Sequence, residues 1–399
     1  MKYDFDHAVP RKGTYSMKYD DKGFFEAMVP NIRLDDDTIR VMLADMDFRC
    51  PPAITRALHR VADFGNFGYV TADAAPDFYK SIVDWYARRF QCNIRPEDIV
   101  YSCGALDGVE QTINAFSKPG EGVILCYPVY SHFTSSVQRL GRKIVSCHMN
   151  YDGEGNYSMA WDKFEAACAD PANKVFVLCS PSNPLGIVWT AEELQKMAAI
   201  CRANGVVLVS DEIHSDFIRK GKKHIPILSA VEDKSNLIMV SGPNKTFNIM
   251  GLHCAYSIIP DADLRKAFCA GYAPVPPTAF ALAAMIAAYT ECDDWLDELN
   301  AYLDANLQFA VDYLHEHLPD VKVHVPDGTY MLWMDFSAYG LGTPGLMVKT
   351  DLEANVCIDL GISSDPEQGG EFLRMCLTCP RAQLEEALDR VNKVFSGLK

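Results

Sequence analysis

Leu237-Ile238-Met239-Val240-Ser241-Gly242-Pro243-Asn244-Lys245-Thr246-Phe247-Asn248 is the stretch on which the reading of this chain turns. Its four opening apolar residues predict a strand buried on both faces. Ser241-Gly242-Pro243 then breaks that strand, and Lys245 follows on the loop leaving it. Two earlier apolar runs end in the same manner. Val206 to Val209 leads into Ser210-Asp211-Glu212-Ile213-His214, and Val175 to Leu178 leads into Cys179-Ser180-Pro181-Ser182-Asn183-Pro184. Residues beyond the carboxyl ends of successive strands of an open α/β sheet converge on one ligand crevice.

Taken singly, Lys245 is a solvated loop lysine, Asp211 a strand-end turn carboxylate, Asn183 an Asn-Pro turn and His214 a core histidine. Together they suit pyridoxal phosphate: lysine for a carbonyl, aspartate for a ring nitrogen, asparagine for a phenolic oxygen. His214 could reach that same oxygen. Gly104-Ala105-Leu106, between the run Ile99 to Cys103 and the helical run Val109 to Phe116, is either a plain turn or a set of backbone N–H groups offered to a phosphate.

Outward from these motifs, short apolar runs alternate with helical patterns from Pro51 to about Leu282: Ile99 to Cys103, Gly122 to Cys126, Lys143 to Cys147, Val175 to Cys179, Val206 to Ser210 and Leu237 to Ser241. This rhythm predicts a three-layer α/β/α large domain with a mostly parallel sheet. One connecting helix starts at the capping box Thr190-Ala191-Glu192-Glu193 and stops at Ala203-Asn204-Gly205. After Pro274-Val275-Pro276-Pro277, one long helical tract is expected from about Thr278 to Leu318. Strands near Thr329 to Phe336 and Phe372 to Leu377, and a helix from Gln383 to Phe395, then suit a small α+β domain. The expected organisation is an N-terminal arm with part of the small domain over 1–45, the large cofactor-binding domain over 46–285, and a bridging helix with the small domain over 286–399.

The formal net charge of -16 argues against non-specific nucleic-acid binding, which needs a basic surface to replace phosphate counterions. The 14 cysteines, Cys168, Cys179, Cys201, Cys254 and Cys269 among them, fall mostly in apolar stretches, which fits reduced thiols and a cytoplasmic location. The start, Met1 to His7, shows no apolar signal region, and no stretch has the length of a membrane span.

Further motifs carry a family resemblance. Ala44-Asp45-Met46-Asp47-Phe48, Phe67-Gly68-Tyr69, Pro128-Val129-Tyr130, Asn183-Pro184-Leu185-Gly186, Ser210 to His214, Lys245 to Asn248, Gly328-Thr329-Tyr330, and Arg374 before Cys379-Pro380 occur in this order. The set resembles fold-type I pyridoxal phosphate enzymes, the aspartate aminotransferase superfamily, and most closely the cystathionine β-lyase or C-S lyase branch of MalY/PatB type. The resemblance implies that Tyr130 stacks on the cofactor ring, that Asn244 and the Gly104 to Leu106 turn hold its phosphate, and that Asp45 and Asn183 lie at the substrate. It also implies that Arg374 clamps the substrate carboxylate. Tyr69 would reach the phosphate of a neighbouring subunit's cofactor, so a homodimer with shared sites is implied.

Departures from the pattern bear on substrate choice. Asn244 replaces the usual serine before the lysine, Met42 replaces the usual aromatic ahead of Ala44, and Gly361-Ile362-Ser363-Ser364-Asp365-Pro366-Glu367 replaces a Gly-Phe-Gly loop. Two decoys are set aside. Gly340-Leu341-Gly342-Thr343-Pro344-Gly345 mimics a dinucleotide fingerprint, but Thr343-Pro344 reads as a helix N-cap and first-turn pair. Cys376 and Cys379 lack the second half of a zinc site and read as a buried strand pair, so no metal is expected.

The expected activity is carbon-sulfur β-lysis of a cystathionine or cysteine-type amino acid. Lys245, Asp211 and Tyr130 would do the chemistry. The rivals are an aminotransferase on the same scaffold and a low-turnover regulatory binding protein, and sequence alone does not separate lyase from aminotransferase.

Overall fold

The computed structural model describes residues 2–28, 34–271 and 275–398. Pro274 of the expected punctuation therefore lies outside the described residues. A seven-stranded sheet is built from β1 (Ile99–Ser102), β2 (Gly122–Tyr127), β3 (Lys143–His148), β4 (Asn173–Cys179), β5 (Val207–Asp211), β6 (Leu237–Ser241) and β7 (Ala255–Ile258), in the spatial order β1-β7-β6-β5-β4-β2-β3. All six apolar runs form strands. β7, which sequence reasoning did not single out, lies between β1 and β6 and is antiparallel to both. The other pairs are parallel. β1, β4, β5 and β6 consequently end at one edge of the sheet.

Both faces of the central strands are dry, while the edge strand β3 is partly exposed, and alternate residues feed different cores. Leu237 and Met239 of β6 join one cluster with Phe176, Leu178 and Leu208, while Ile238 and Val240 join the opposite cluster with Val175, Val177 and Val209. The helix Ala105–Phe116 lies against this second face. Gly108 permits that approach, because a Cβ there would stand 2.7 Å from Ser257 Oγ and 2.8 Å from Val240 Cγ1. The helix Ala191–Ala203 begins at Thr190 with a complete capping box, and its C-cap is Asn204.

The expected tract from Thr278 to Leu318 is two helices, Ala279–Glu291 and Asp293–His317, broken at Cys292. Their environments differ. The first is buried nearly all round, whereas the second changes core along its length: Trp295, Leu299 and Leu303 enter the large-sheet cluster, and Leu307, Val311 and Leu314 enter a separate one. A boundary at 285 would fall inside the first helix.

The separate cluster surrounds a three-stranded antiparallel sheet ordered β8-β10-β9, from β8 (Met331–Asp335), β9 (Asp359–Leu360) and β10 (Phe372–Cys376). The helix Arg381–Phe395 covers it, and Ile39 and Val41 from the N-terminal region join it. The arm is pinned elsewhere too, since Phe5 meets Phe48 and Trp295 at ring distances of 5.2 and 5.7 Å. The helix near Thr343 starts at Gly342 with Leu341 as its N-cap, so the Thr343-Pro344 pair lies within its first turn rather than at the cap. Cys376 ends β10 and Cys379 lies beyond it, so the two are not a strand pair. All 14 cysteines are free, and Cys269 is exposed rather than buried.

Candidate active site

The common edge where β1, β4, β5 and β6 end opens into a cavity of about 230 Å³. Gly104, Ala105 and Leu106 come from β1, Asn183 from β4, Asp211 and His214 from β5, Asn244 and Lys245 from β6, and Tyr130 from the segment after β2. Nine of the expected site residues therefore share one cavity. Topology accounts for this, since parallel strands in register deliver their carboxyl ends to one line.

Lys245 sits in a helical turn, Pro243–Thr246, rather than on an open loop. Its Nζ donates to the Ala44 carbonyl at 2.7 Å. Burial pulls its pKa down to about 8, against the opposing pull of Asp45. Asp211 is 4% exposed, and burial pushes its carboxyl up to about 7, although its Oδ1 accepts the Ile213 N–H at 3.1 Å. No cation is hydrogen-bonded to it among the described residues. His214 is buried, and burial holds its imidazole neutral, well below the ordinary histidine range, with Lys245 and Arg374 adding to the shift. Its Nδ1 finds no hydrogen-bond partner among the described residues.

Arg374 lies behind the cavity wall. Its Nη1 donates to Asn183 Oδ1 at 3.0 Å, while Nε and Nη2 donate to Asp359 Oδ2 at 3.2 and 2.5 Å. Asn183 accepts on its oxygen and so keeps its amide N–H groups for the cavity. Asn244 is arranged in the same sense, because its Oδ1 accepts the Cys254 N–H at 3.3 Å. The helix Ala105–Phe116 has Gly104 as its N-cap with no side-chain cap, so the N–H groups of Ala105 and Leu106 can meet an anion.

Besides Arg374, two expected residues do not line the cavity. Asp45 does not line it, because its carboxylate is taken by Arg11 and faces Lys18 at 3.7 Å, next to the Lys18–Asp47 pair at 3.0 Å. The buried Lys18 and the half-buried Arg11 of the arm take up both carboxylates, and the Ala44 carbonyl is what this segment presents to Lys245. Tyr69 is fully exposed and does not line the cavity of its own chain. Met42 is buried against Phe25 and Cys357, where an aromatic was expected by pattern. Sequence reasoning missed Asp359 and left Tyr330 without a role. Tyr330 donates to the Ala44 carbonyl at 3.1 Å and holds His214 edge-on at 5.4 Å.

The pieces fit pyridoxal phosphate as a set: an easily deprotonated lysine, a buried carboxyl without a cation, an orphaned imidazole nitrogen, two amides with free donors, and an uncapped helix N-terminus.

Comparison with known proteins agrees with this fit. The family model described as aminotransferase class I and II matches residues 40–391. Cystathionine beta-lyase PatB of Bacillus subtilis is 36% identical over 400 residues, covering 98% of this chain and all of its own length. Among solved structures, a PLP-bound putative aminotransferase from Clostridium difficile superposes with a TM-score of 0.92 at 35% identity, covering 98% of this chain and 99% of its own. Cystalysin from Treponema denticola, solved with pyridoxal 5'-phosphate, gives a TM-score of 0.92 at 30% identity over the full length of both chains.

Proposed function

This chain belongs to the aminotransferase class I and II family, and from that premise we propose that it is a pyridoxal phosphate-dependent carbon-sulfur β-lyase. Its substrate is cystathionine or a related cysteine derivative, which with water yields a thiol, pyruvate and ammonia. The observation that carries this reading is the convergence of Lys245, Asp211 and Asn183 on one cavity. Full-length similarity to a cystathionine beta-lyase and to cystalysin supports the lyase outcome.

When bound, pyridoxal phosphate supplies an electrophilic carbonyl and a ring that accepts the electron pair released at the substrate Cα. Lys245 would hold that carbonyl and then serve as general base for the Cα proton. A nitrogen with a pKa of about 8 both accepts and returns a proton near neutrality. Asp211 would serve the ring nitrogen. Burial alone raises its carboxyl to about 7, and a cationic N–H placed against it would restore the carboxylate, so that one proton would be held between the two. Asn183 would donate to the phenolic oxygen, with His214 beside it as a neutral ring. Tyr130 would stack on the pyridine face, and Gly104 to Leu106 and Asn244 would hold the phosphate.

Arg374 takes the substrate carboxylate on its remaining donors, and Asp359 fixes the guanidinium plane. Asp45 acts through the charge cluster that places Ala44. Tyr69 completes the site of a second subunit in a homodimer, which accounts for a fully exposed aromatic residue. A cytoplasmic location belongs to the same proposal. It is supported by the free cysteines, and no helix among the described residues is long and apolar enough to cross a membrane.

Aminotransfer is the second reading, favoured by the matched family and by the early steps both reactions share. Incubating the holoenzyme with cystathionine, cysteine and a keto acid separates the two. Pyruvate formed without keto acid supports the lyase; a new amino acid that appears only with keto acid supports the transferase.

A further inference from the structure

A second cavity, of about 300 Å³, lies where the hairpin after β3 meets the three-stranded sheet. Tyr151 and Tyr157 of the hairpin stack at 4.7 Å, Trp333 and Phe372 of the sheet stack at 5.1 Å with an interplanar angle of 11°, and Tyr151 meets Phe372 edge-on at 5.7 Å. The four rings form one continuous wall. Trp333 Nε1 donates to Tyr157 Oη at 3.2 Å, and Tyr151 Oη donates to Asp335 Oδ2 at 2.6 Å, which locks hairpin and sheet together.

Three carboxylates, Asp335, Asp365 and Glu371, also line it, with His148 Nε2 at 3.2 Å from Asp365 Oδ1, and no described lining residue is a lysine or arginine. Asp335 and Asp365 are 4% and 2% exposed. Glu371 Oε1 accepts the Gly342 N–H at 2.9 Å, while its buried Oε2 finds no donor among the described residues. Electron-rich ring faces and carboxylates acting together attract a positive charge whose surface is apolar. A bare metal ion fits poorly, since no group of three or more acidic, histidine or cysteine side chains among the described residues is placed to hold one.

We propose that this cavity is a binding site for a small organic cation bearing an alkylated ammonium group. The ligand would bridge the hairpin and the three-stranded sheet. It would also lie on the sheet face that carries the candidate carboxylate clamp, because Trp333 pairs directly with Arg374 across β8 and β10, and Asp335 pairs with Phe372 in the next row. The site is separate from the Lys245 cavity and does not depend on the reaction proposed there.

Calorimetric titration of the holoenzyme with choline chloride, beside the neutral isostere 3,3-dimethylbutan-1-ol, tests the proposal. Choline is expected to saturate one site per chain, with the isostere about tenfold weaker or undetectable. E371Q should weaken choline about tenfold. Phe372→Leu, which removes a π-face at similar volume, should weaken it as well and serves as the second variant if E371Q unfolds. Saturating amino-acid substrate should leave choline binding in place. Absence of saturation, equal binding of the isostere, unchanged affinity in the folded variants, or displacement by substrate would each overturn the assignment.

Discussion

Arg374 of β10 donates from Nη1 to Asn183 Oδ1 at 3.0 Å, joining the three-stranded sheet to the cavity at the end of the seven-stranded one. The group proposed to recognise a substrate carboxylate and the group proposed to donate to the cofactor ring are thereby set by the same bond. Asp359 holds the opposite side of the guanidinium, so the fork is oriented before substrate arrives.

Arg374→Lys therefore removes both the fork and the bond to Asn183. Lysine offers a point charge without planar, paired donors. Catalytic efficiency for cystathionine should fall at least about tenfold while cofactor occupancy and its absorption spectrum persist. Steady-state kinetics beside the spectrum checks this, and unchanged kcat/KM would place the clamp elsewhere.

Lys245 should be the site of covalent attachment. Borohydride treatment of the holoenzyme followed by peptide mass mapping is expected to find the pyridoxyl group on Lys245. A label on any other lysine rules out the assignment.

The depressed pKa of Lys245 has a consequence for the cofactor-free protein. Below about pH 8 the lysine is protonated in both folded and unfolded chains, and the folded state carries the full cost of burying the charge. Between about 8 and the ordinary 10.5 the folded chain has released the proton while the unfolded chain still holds it, so stability rises with pH. Lys245→Met lacks this cost. The apo variant should be more stable than the apo parent by about 1–3 kcal/mol at pH 7, with the gap closing above pH 10. Thermal unfolding of both apo proteins across that range measures it, and a gap independent of pH contradicts the burial argument.

Asp211→Asn keeps the shape at the ring nitrogen and removes the negative charge. Cofactor should still bind, but turnover should fall by about a hundredfold or more because the ring is no longer held protonated. A variant retaining near-parental kcat would remove Asp211 from the chemistry.

Tyr69 is predicted to serve the site of a partner subunit. Mixing inactive Lys245→Ala chains with inactive Tyr69→Phe chains, under conditions of demonstrated subunit exchange, should restore activity as hybrid dimers assemble one intact site. Persistent inactivity of proven hybrids counts against sharing.

The elements that the sequence revealed share one property: their burial is written locally. Leu237 to Val240 and Val175 to Leu178 are apolar without interruption, so strands buried on both faces could be read directly, and the polar residues closing each run marked the cavity edge. Ala255 to Ile258 includes Tyr256 and Ser257 and is only four residues long, so β7 gave no comparable signal. The break at Cys292 was hidden for a related reason, since both flanking helices are strongly helical in pattern and no glycine or proline separates them.

Residue identity and order by themselves determined which side chains meet at the site, because parallel strands bring their carboxyl ends together wherever the loops permit. What those side chains do there was decided by tertiary structure. The partners of Arg374 depend on β9 and β10 pairing in one register, which no local pattern around Asp359 announces. Asp45 was drawn away from the cavity by Arg11 and Lys18, residues far from it in the chain, since buried charge must be neutralised by whatever opposite charge packing brings near. The shifted protonation of Lys245 and Asp211 likewise follows from burial, a property of the whole fold.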